Sequence, residues 1–300
     1  MTGFVNKRMN RRLYLLAVSL VIVTGLLGQP QDLARLRDEI AFTADNAVNA
    51  QQDKHRIRSH ERLVSLIDSF LLDTGSYAVS LDSIPWLSVL QGDDFRLVTW
   101  QLRISDNEHK YGGFLQWADR VVRFKDNRPF INGSEYSSYT PSGWYGCLYY
   151  SIIPFESGGV KYYTLLGYNA EDKLISTKVA DILDLSGTEP RLGLPVFMGP
   201  GEAKTRLLMT YGDISPARML YDPQLQGIVH DHIESLPGIG PEGEALPVSD
   251  GSMEAWILQK GKWVYKEELY DEVKSTEPPF TDERKDRKED KDILGRPRKE

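Results

Sequence analysis

The sequence predicts a mainly β (α+β) protein, an antiparallel meander or sandwich with a partial propeller as an open variant, entered through an N-terminal helical segment. Three observations carry this. From Phe95 onward apolar residues recur with a period near two, the signature of strands. Gly158-Gly159 and Lys260-Gly261 have the chemistry of two-residue hairpin loops. The connections between strand-like runs are mostly too short for the crossovers that parallel strands require.

Taken in order, residues 1–28 read as an export segment. Lys7, Arg8, Arg11 and Arg12 precede an apolar run, Leu13 to Leu27, and Gly28-Gln29-Pro30 supplies a cleavage zone. The run is shorter than the roughly 20 residues of a membrane-spanning helix. A cleaved signal is therefore expected over a retained anchor, and inner-membrane contact only if the segment stays attached. Residues 29–92 form a helical entry. Leu33, Leu36, Ile40, Ala44 and Ala47 lie on one stripe, and Leu63, Ile67 and Phe70 or Leu71 on a second. The polar stretch Gln51 to His60 is a break between two helices or an exposed bridge, and Gly75 and Pro85 end the helical signal.

Residues 93–273 read as the β-rich domain. Val98, Trp100, Leu102 and Ile104 alternate with Thr99, Gln101 and Arg103, the pattern of a strand covered on one side. Further strand-like runs are 144–153, 160–168, 205–211, 217–221, 227–233 and 253–265. If Gly158-Gly159 is a loop, Ser157 pairs with Val160, Glu156 with Lys161 and Phe155 with Tyr162. If Lys260-Gly261 is a loop, Gln259 pairs with Lys262, Leu258 with Trp263 and Trp256 with Tyr265. Asp222-Pro223 marks a third turn. The spacing of Ile175, Val179 and Ile182 predicts a helix over Asp172 to Leu183. A complete propeller needs a block of about 40 residues repeated along the chain, and no strict repeat is present. Residues 274–300 carry nine basic and eight acidic residues with few large apolar ones, a composition that does not offset the entropy of ordering.

The net charge is −7, and removing residues 1–28, which hold four basic and no acidic side chains, shifts it to −11. An acidic body argues against nucleic acid and against anionic membrane surfaces as partners. The single cysteine, Cys147, forms no internal disulfide; its apolar neighbours predict an inert buried thiol.

His230-Asp231-His232 is the strongest chemical constellation. On a strand the two imidazoles project to one face about 7 Å apart and can share a zinc ion. Asp222, Asp250 and Glu254 are the possible third ligands, and the metal set read from the sequence is His230, His232 and Asp250. The competing reading is a part-exposed histidine pair flanking a hydrogen-bonded structural Asp231, because alternation places Val229, Asp231 and Ile233 on one face and a buried carboxylate needs donors. Aromatic side chains offer a second kind of site. Trp100, Trp117, Trp144 and Tyr145 lie in or beside strands, and exposed rings of this kind stack on sugars or peptide side chains, while core packing is the ordinary fate of such residues. Walker, Gly-x-Ser-x-Gly, HExxH and paired-cysteine patterns are absent from the sequence, so no cofactor is implied.

Tyr162 to Tyr168, the His230-Asp231-His232 strand, and Asp250-Gly251-Ser252 with Gly261-Lys262-Trp263 together resemble an uncharacterised family of exported proteins from Bacteroidota. The resemblance covers roughly Phe95 to Glu267. It implies export and a β-rich fold, and brings no activity, cofactor or catalytic residue. The sequence thus leads to an exported protein of the periplasm or cell envelope with a non-catalytic binding or structural role, its partner an envelope component, a peptide or a glycan. The alternative is a metal-dependent hydrolase centred on His230 and His232.

Overall fold

A computed structural model describes residues 30–128, 134–267 and 269. Residues 1–28, expected to direct export, and the charged segment 274–300 lie outside the described residues. Among those residues, no helix is long and apolar enough to cross a membrane.

Two helices, α1 (Pro30–Asn49) and α2 (Asp53–Leu72), open the fold as a hairpin. The polar stretch is a break at its start and helix thereafter. Arg56 explains the tight junction: its guanidinium is buried, pairs with Asp53, and donates to the carbonyls of Ala50 (2.9 Å) and Gln51 (3.3 Å), which the end of α1 leaves unpaired. The predicted stripes face inward, with Ile40, Ala44, Leu63, Ile67 and Phe70 all buried.

Three sheets follow in chain order. The first is a meander of β1 (Ser88–Gln91), β2 (Arg96–Ser105), β3 (Glu108–Gln116) and β4 (Val121–Lys125). The second runs β10 (Leu207–Gly212), β7 (Ile175–Asp184), β6 (Val160–Ala170), β5 (Leu148–Ser157), with the short β8 (Arg191–Leu192) on β7. The third runs β11 (Met219–Asp222), β12 (Gly227–Leu236), β13 (Leu246–Gln259), β14 (Lys262–Lys266), and closes with β9 (Phe197–Met198) parallel to β14. None of the sheets closes into a barrel.

The layers are joined by three apolar cores. The helices pack on one face of the first sheet through Val98, Trp100 and Phe114. Its other face, with Phe95, Leu97 and Leu115, meets Tyr163, Leu165, Val179 and Leu183 of the second sheet. The far face of the second sheet, with Leu166, Ala180 and Ile182, meets Ile228, Trp256 and Trp263 of the third. The helical entry and β domain therefore share a core, and β1 lies at the end of the entry segment 29–92, beyond the Gly75 and Pro85 that close its helical part.

Two expectations are corrected by this stacking. Asp172 to Leu183 is not a helix but mostly strand β7, a central strand paired with both β6 and β10. Because both faces of its sheet are covered, Val179 and Leu183 point into one core and Ala180 and Ile182 into the other, so the polar alternation that marks a half-exposed strand is missing. Likewise β2 is covered on both sides from Arg96 to Trp100; Thr99, on the face expected to be open, accepts a 3.1 Å bond from the Tyr149 backbone N–H. Both hairpins have the expected pairings, Ser157 with Val160 through Phe155 with Tyr162, and Gln259 with Lys262 through Trp256 with Tyr265. Their loop residues take positive φ: 60° and 78° at Gly158 and Gly159, 51° and 77° at Lys260 and Gly261.

Candidate functional site

The His-Asp-His segment lies on β12, between β11 and β13. Alternation turns Asp231 to the outer face, where it is 5% exposed. Its carboxylate accepts from the Arg218 backbone N–H (2.6 Å) and lies 3.5 Å from the Arg218 guanidinium. The donors that a buried aspartate requires are thus supplied by the neighbouring segment.

The histidines face the second sheet. His230 is buried, and its Nε2 accepts from the Trp256 indole N–H at 3.2 Å. Indole nitrogen only donates, so the proton of His230 sits on Nδ1, which donates to the Asp231 carbonyl at 3.0 Å. Both nitrogens are engaged, and His230 has no lone pair left for a metal. Among the described residues, the donor atoms that converge keep His232 and Asp250 of the expected metal set and add Glu234 in place of His230. His232 is half-buried, and its Nδ1 bonds Glu254 Oε1 at 2.8 Å. The same oxygen accepts from the Tyr265 hydroxyl, and Glu254 Oε2 lies 3.6 Å from His230 Nδ1. Glu254 is therefore the hub of the cluster. Its hydrogen bond, backed by the charges of Glu254, Asp250 and Glu234, pushes the His232 pKa upward. Burial and Glu254 together push the Tyr265 hydroxyl up, so it remains a donor.

A β-bulge shapes the rim. Asp231 pairs with Met253 and Ile233 with Ser249, so Asp250-Gly251-Ser252 oppose the single residue His232. Gly251 sits at φ 89°, and Asp250 accepts from the Ser252 backbone and hydroxyl. One nitrogen of His232 and one carboxylate oxygen each of Glu234 and Asp250 lie within 4.8 Å of one another. Asp222 is elsewhere, accepting from the backbone of Gln224 and Leu225 in its turn. Above this floor, between the second and third sheets, is a cavity of about 350 Å³ walled by Leu207, Met209 and Met219, with the Glu135–Lys204 ion pair at 2.7 Å beside it.

The four aromatic candidates are not brought together into a platform. Trp100 is 4% exposed, packs under the helices and donates to His60 Nε2 at 3.1 Å. Trp144 is fully buried and donates to the Tyr149 hydroxyl. Tyr145 is 6% exposed. Only Trp117 is part-exposed, with the Arg120 guanidinium 4.1 Å above its ring. Cys147 is buried and its thiol is pushed up by burial, as its apolar neighbours predicted. Sequence reasoning placed Glu254 among several possible ligands; the signal that singles it out is cross-strand, since it pairs with His230 while the bulge brings His232 to it.

Fold and cluster define a mainly β protein of three stacked sheets with a polar cleft between the last two. No protein-family model, curated protein or solved structure matches the chain.

Proposed function

We propose that this chain is an exported cell-envelope protein that holds a small hydroxyl-rich ligand, such as a sugar unit of an envelope glycan, in the cleft over Glu254 without catalysing a reaction. The observation that carries the reading is the mutual engagement of the cleft's polar groups. Glu254 already accepts from His232 and Tyr265, and both nitrogens of His230 are taken. Groups tied to one another in this way present a fixed hydrogen-bonding floor rather than a free base or nucleophile. A cavity of about 350 Å³ with apolar walls and a few convergent polar groups fits a ligand of that size. Export, and kinship with the Bacteroidota family that the sequence resembles, belong to the same proposal and rest on residues 7–27 and the β-rich motifs.

The second reading, a metal-dependent hydrolase, is favoured by one observation, the convergence of His232, Glu234 and Asp250. With Nδ1 of His232 bonded to Glu254, its Nε2 is left for a metal, the arrangement in which a carboxylate orients a ligating imidazole. A native mass spectrum of the protein purified from its own envelope without chelator separates the two. An organic adduct lost on Glu254→Gln, on a chain beginning near Gln29, supports the binding reading. A stoichiometric divalent metal lost on His232→Ala but kept on His230→Phe replaces it with the hydrolase.

A further inference from the structure

A second cavity, of about 690 Å³, lies where the end of α1 and the segment before β1 meet the first and second sheets. Trp86, Leu87 and Leu148 form its apolar wall, and Gln101, Arg103 and His109 its polar side. The indole N–H of Trp86 donates to Asp45 at 3.1 Å, which pins the ring. Arg103 and His109 are directly opposed across β2 and β3.

His109 is the informative group. It is 8% exposed, and its Nδ1 is buried with no hydrogen-bond partner among the described residues. A buried nitrogen left unmatched costs about 1–3 kcal/mol, which is why such groups are rare in folded proteins. The charges facing the ring are Arg128 and Arg103 against Asp213 and Asp106; burial first, and then the two arginines, lower its pKa. The ring is neutral at neutral pH and retains one N–H to donate. The Arg103 guanidinium beside it is half-exposed, and its ion pair with Asp106 is loose at 3.6 Å. Such a surface pair contributes little, so the guanidinium is available to another anion.

We propose that this cavity binds a small amphipathic organic acid, its apolar body against Trp86, Leu87 and Leu148 and its carboxylate held between Arg103 and His109. The site is separate from the cleft over Glu254 and stands whether or not that reading survives. Nδ1 itself is sealed from the cavity, which the ring lines with its remaining edge; a carboxylate held there beside Arg103 favours the protonated imidazole, so binding couples to His109 titration.

The test uses 4-phenylbutyrate as the probe, with 4-phenylbutanol and 4-phenylbutylamine as neutral and cationic partners of the same shape. The full chain is titrated while the His109 ring resonances are followed by NMR. The expected result is saturable one-to-one binding of the acid, at least tenfold tighter than that of the alcohol or amine, with an upward move of the His109 titration midpoint. Arg103→Gln, a change at an exposed side chain, weakens the acid at least tenfold without altering thermal unfolding. His109→Phe abolishes the preference for the acid, and circular dichroism checks its folding. Equal affinity for the three probes, no saturation by the acid at millimolar concentration, or an Arg103→Gln chain that binds as before overturns the proposal.

Discussion

Asp181 shows how single residues hold this protein together. It is fully buried on β7, with the equally buried Arg206 guanidinium 2.9 Å away. It also accepts from the Tyr149 hydroxyl, which in turn accepts from Trp144. Removing one partner of such a pair strands a charge in the core, so Asp181→Asn is expected to lower unfolding free energy by about 3–5 kcal/mol in urea titrations. Adding Arg206→Met should recover much of the loss, and a single-variant cost below about 1 kcal/mol would contradict a tightly coupled pair. A second prediction concerns His232, whose pKa is raised by Glu254. The stability this pair contributes is complete below the unfolded histidine value near 6.5 and is lost as pH rises through the raised folded value. Wild type should therefore exceed Glu254→Gln in thermal stability by more at pH 5.5 than at pH 9. An unchanging gap would place the contribution in Tyr265 packing instead. Asp231's need for donors was readable from alternation alone, but the engagement of His230 was not. It depends on Trp256 being two residues beyond Glu254 on a strand whose register no local pattern reveals.

At the scale of elements, turn chemistry was the most legible feature. The Lys260-Gly261 loop rests against the first hairpin, and a Cβ at Gly261 would lie 2.5 Å from the Glu156 carbonyl oxygen. With φ at 77° the position is strained for an L-residue as well. Gly261→Ala is predicted to cost about 1–3 kcal/mol, whereas Lys260→Gly, at φ 51° beside it, should be near neutral. Denaturant midpoints of the two variants test this, and equal midpoints would refute the packing argument. Gly112 is read less easily. It faces Trp100 across the ladder, and a Cβ there would lie 2.2 Å from the indole. Nothing local announces which strand partner a glycine must admit. β7 was misread for a related reason. Ile175, Val179 and Ile182 fit a helical period as well as a strand buried on both faces, and only neighbours distant in sequence decide between them.

Across the whole molecule, the helical hairpin is an outer layer, and His60 is one of its contacts with the first sheet. Burial, aided by Lys110, lowers its pKa to about 4. A depressed histidine leaves the unfolded chain binding more protons between 6.5 and about 4. Stability is then whole above pH 6.5 and falls as pH drops through that window. His60→Gln, which keeps an acceptor for Trp100, should flatten the fall by about 2 kcal/mol, less than full linkage because the side chain stays part-exposed. Urea unfolding at pH 4.5 and 7 measures it, and identical slopes in both proteins would exclude His60 as the acid-sensitive contact. The helical entry and the antiparallel class were visible in periodicity, but not their shared core. Apolar stripes show that an element has a buried side and do not say what covers it.

The stacking in chain order also bears on how the polypeptide is made. Emerging N-terminus first, the chain presents the helical hairpin and then all four strands of the first sheet before any strand of the second exists. Each new sheet meets a face already formed, so most of the molecule can assemble behind the growing end. β9 is the exception. It emerges within the second sheet's share of the chain, yet its parallel partner β14 lies at the far end of the described strands. Nascent chains arrested before Lys262 therefore hold Phe197 by its bridge to Lys204 alone, without the parallel partner, and β14 has to enter between β13 and a strand made well before it.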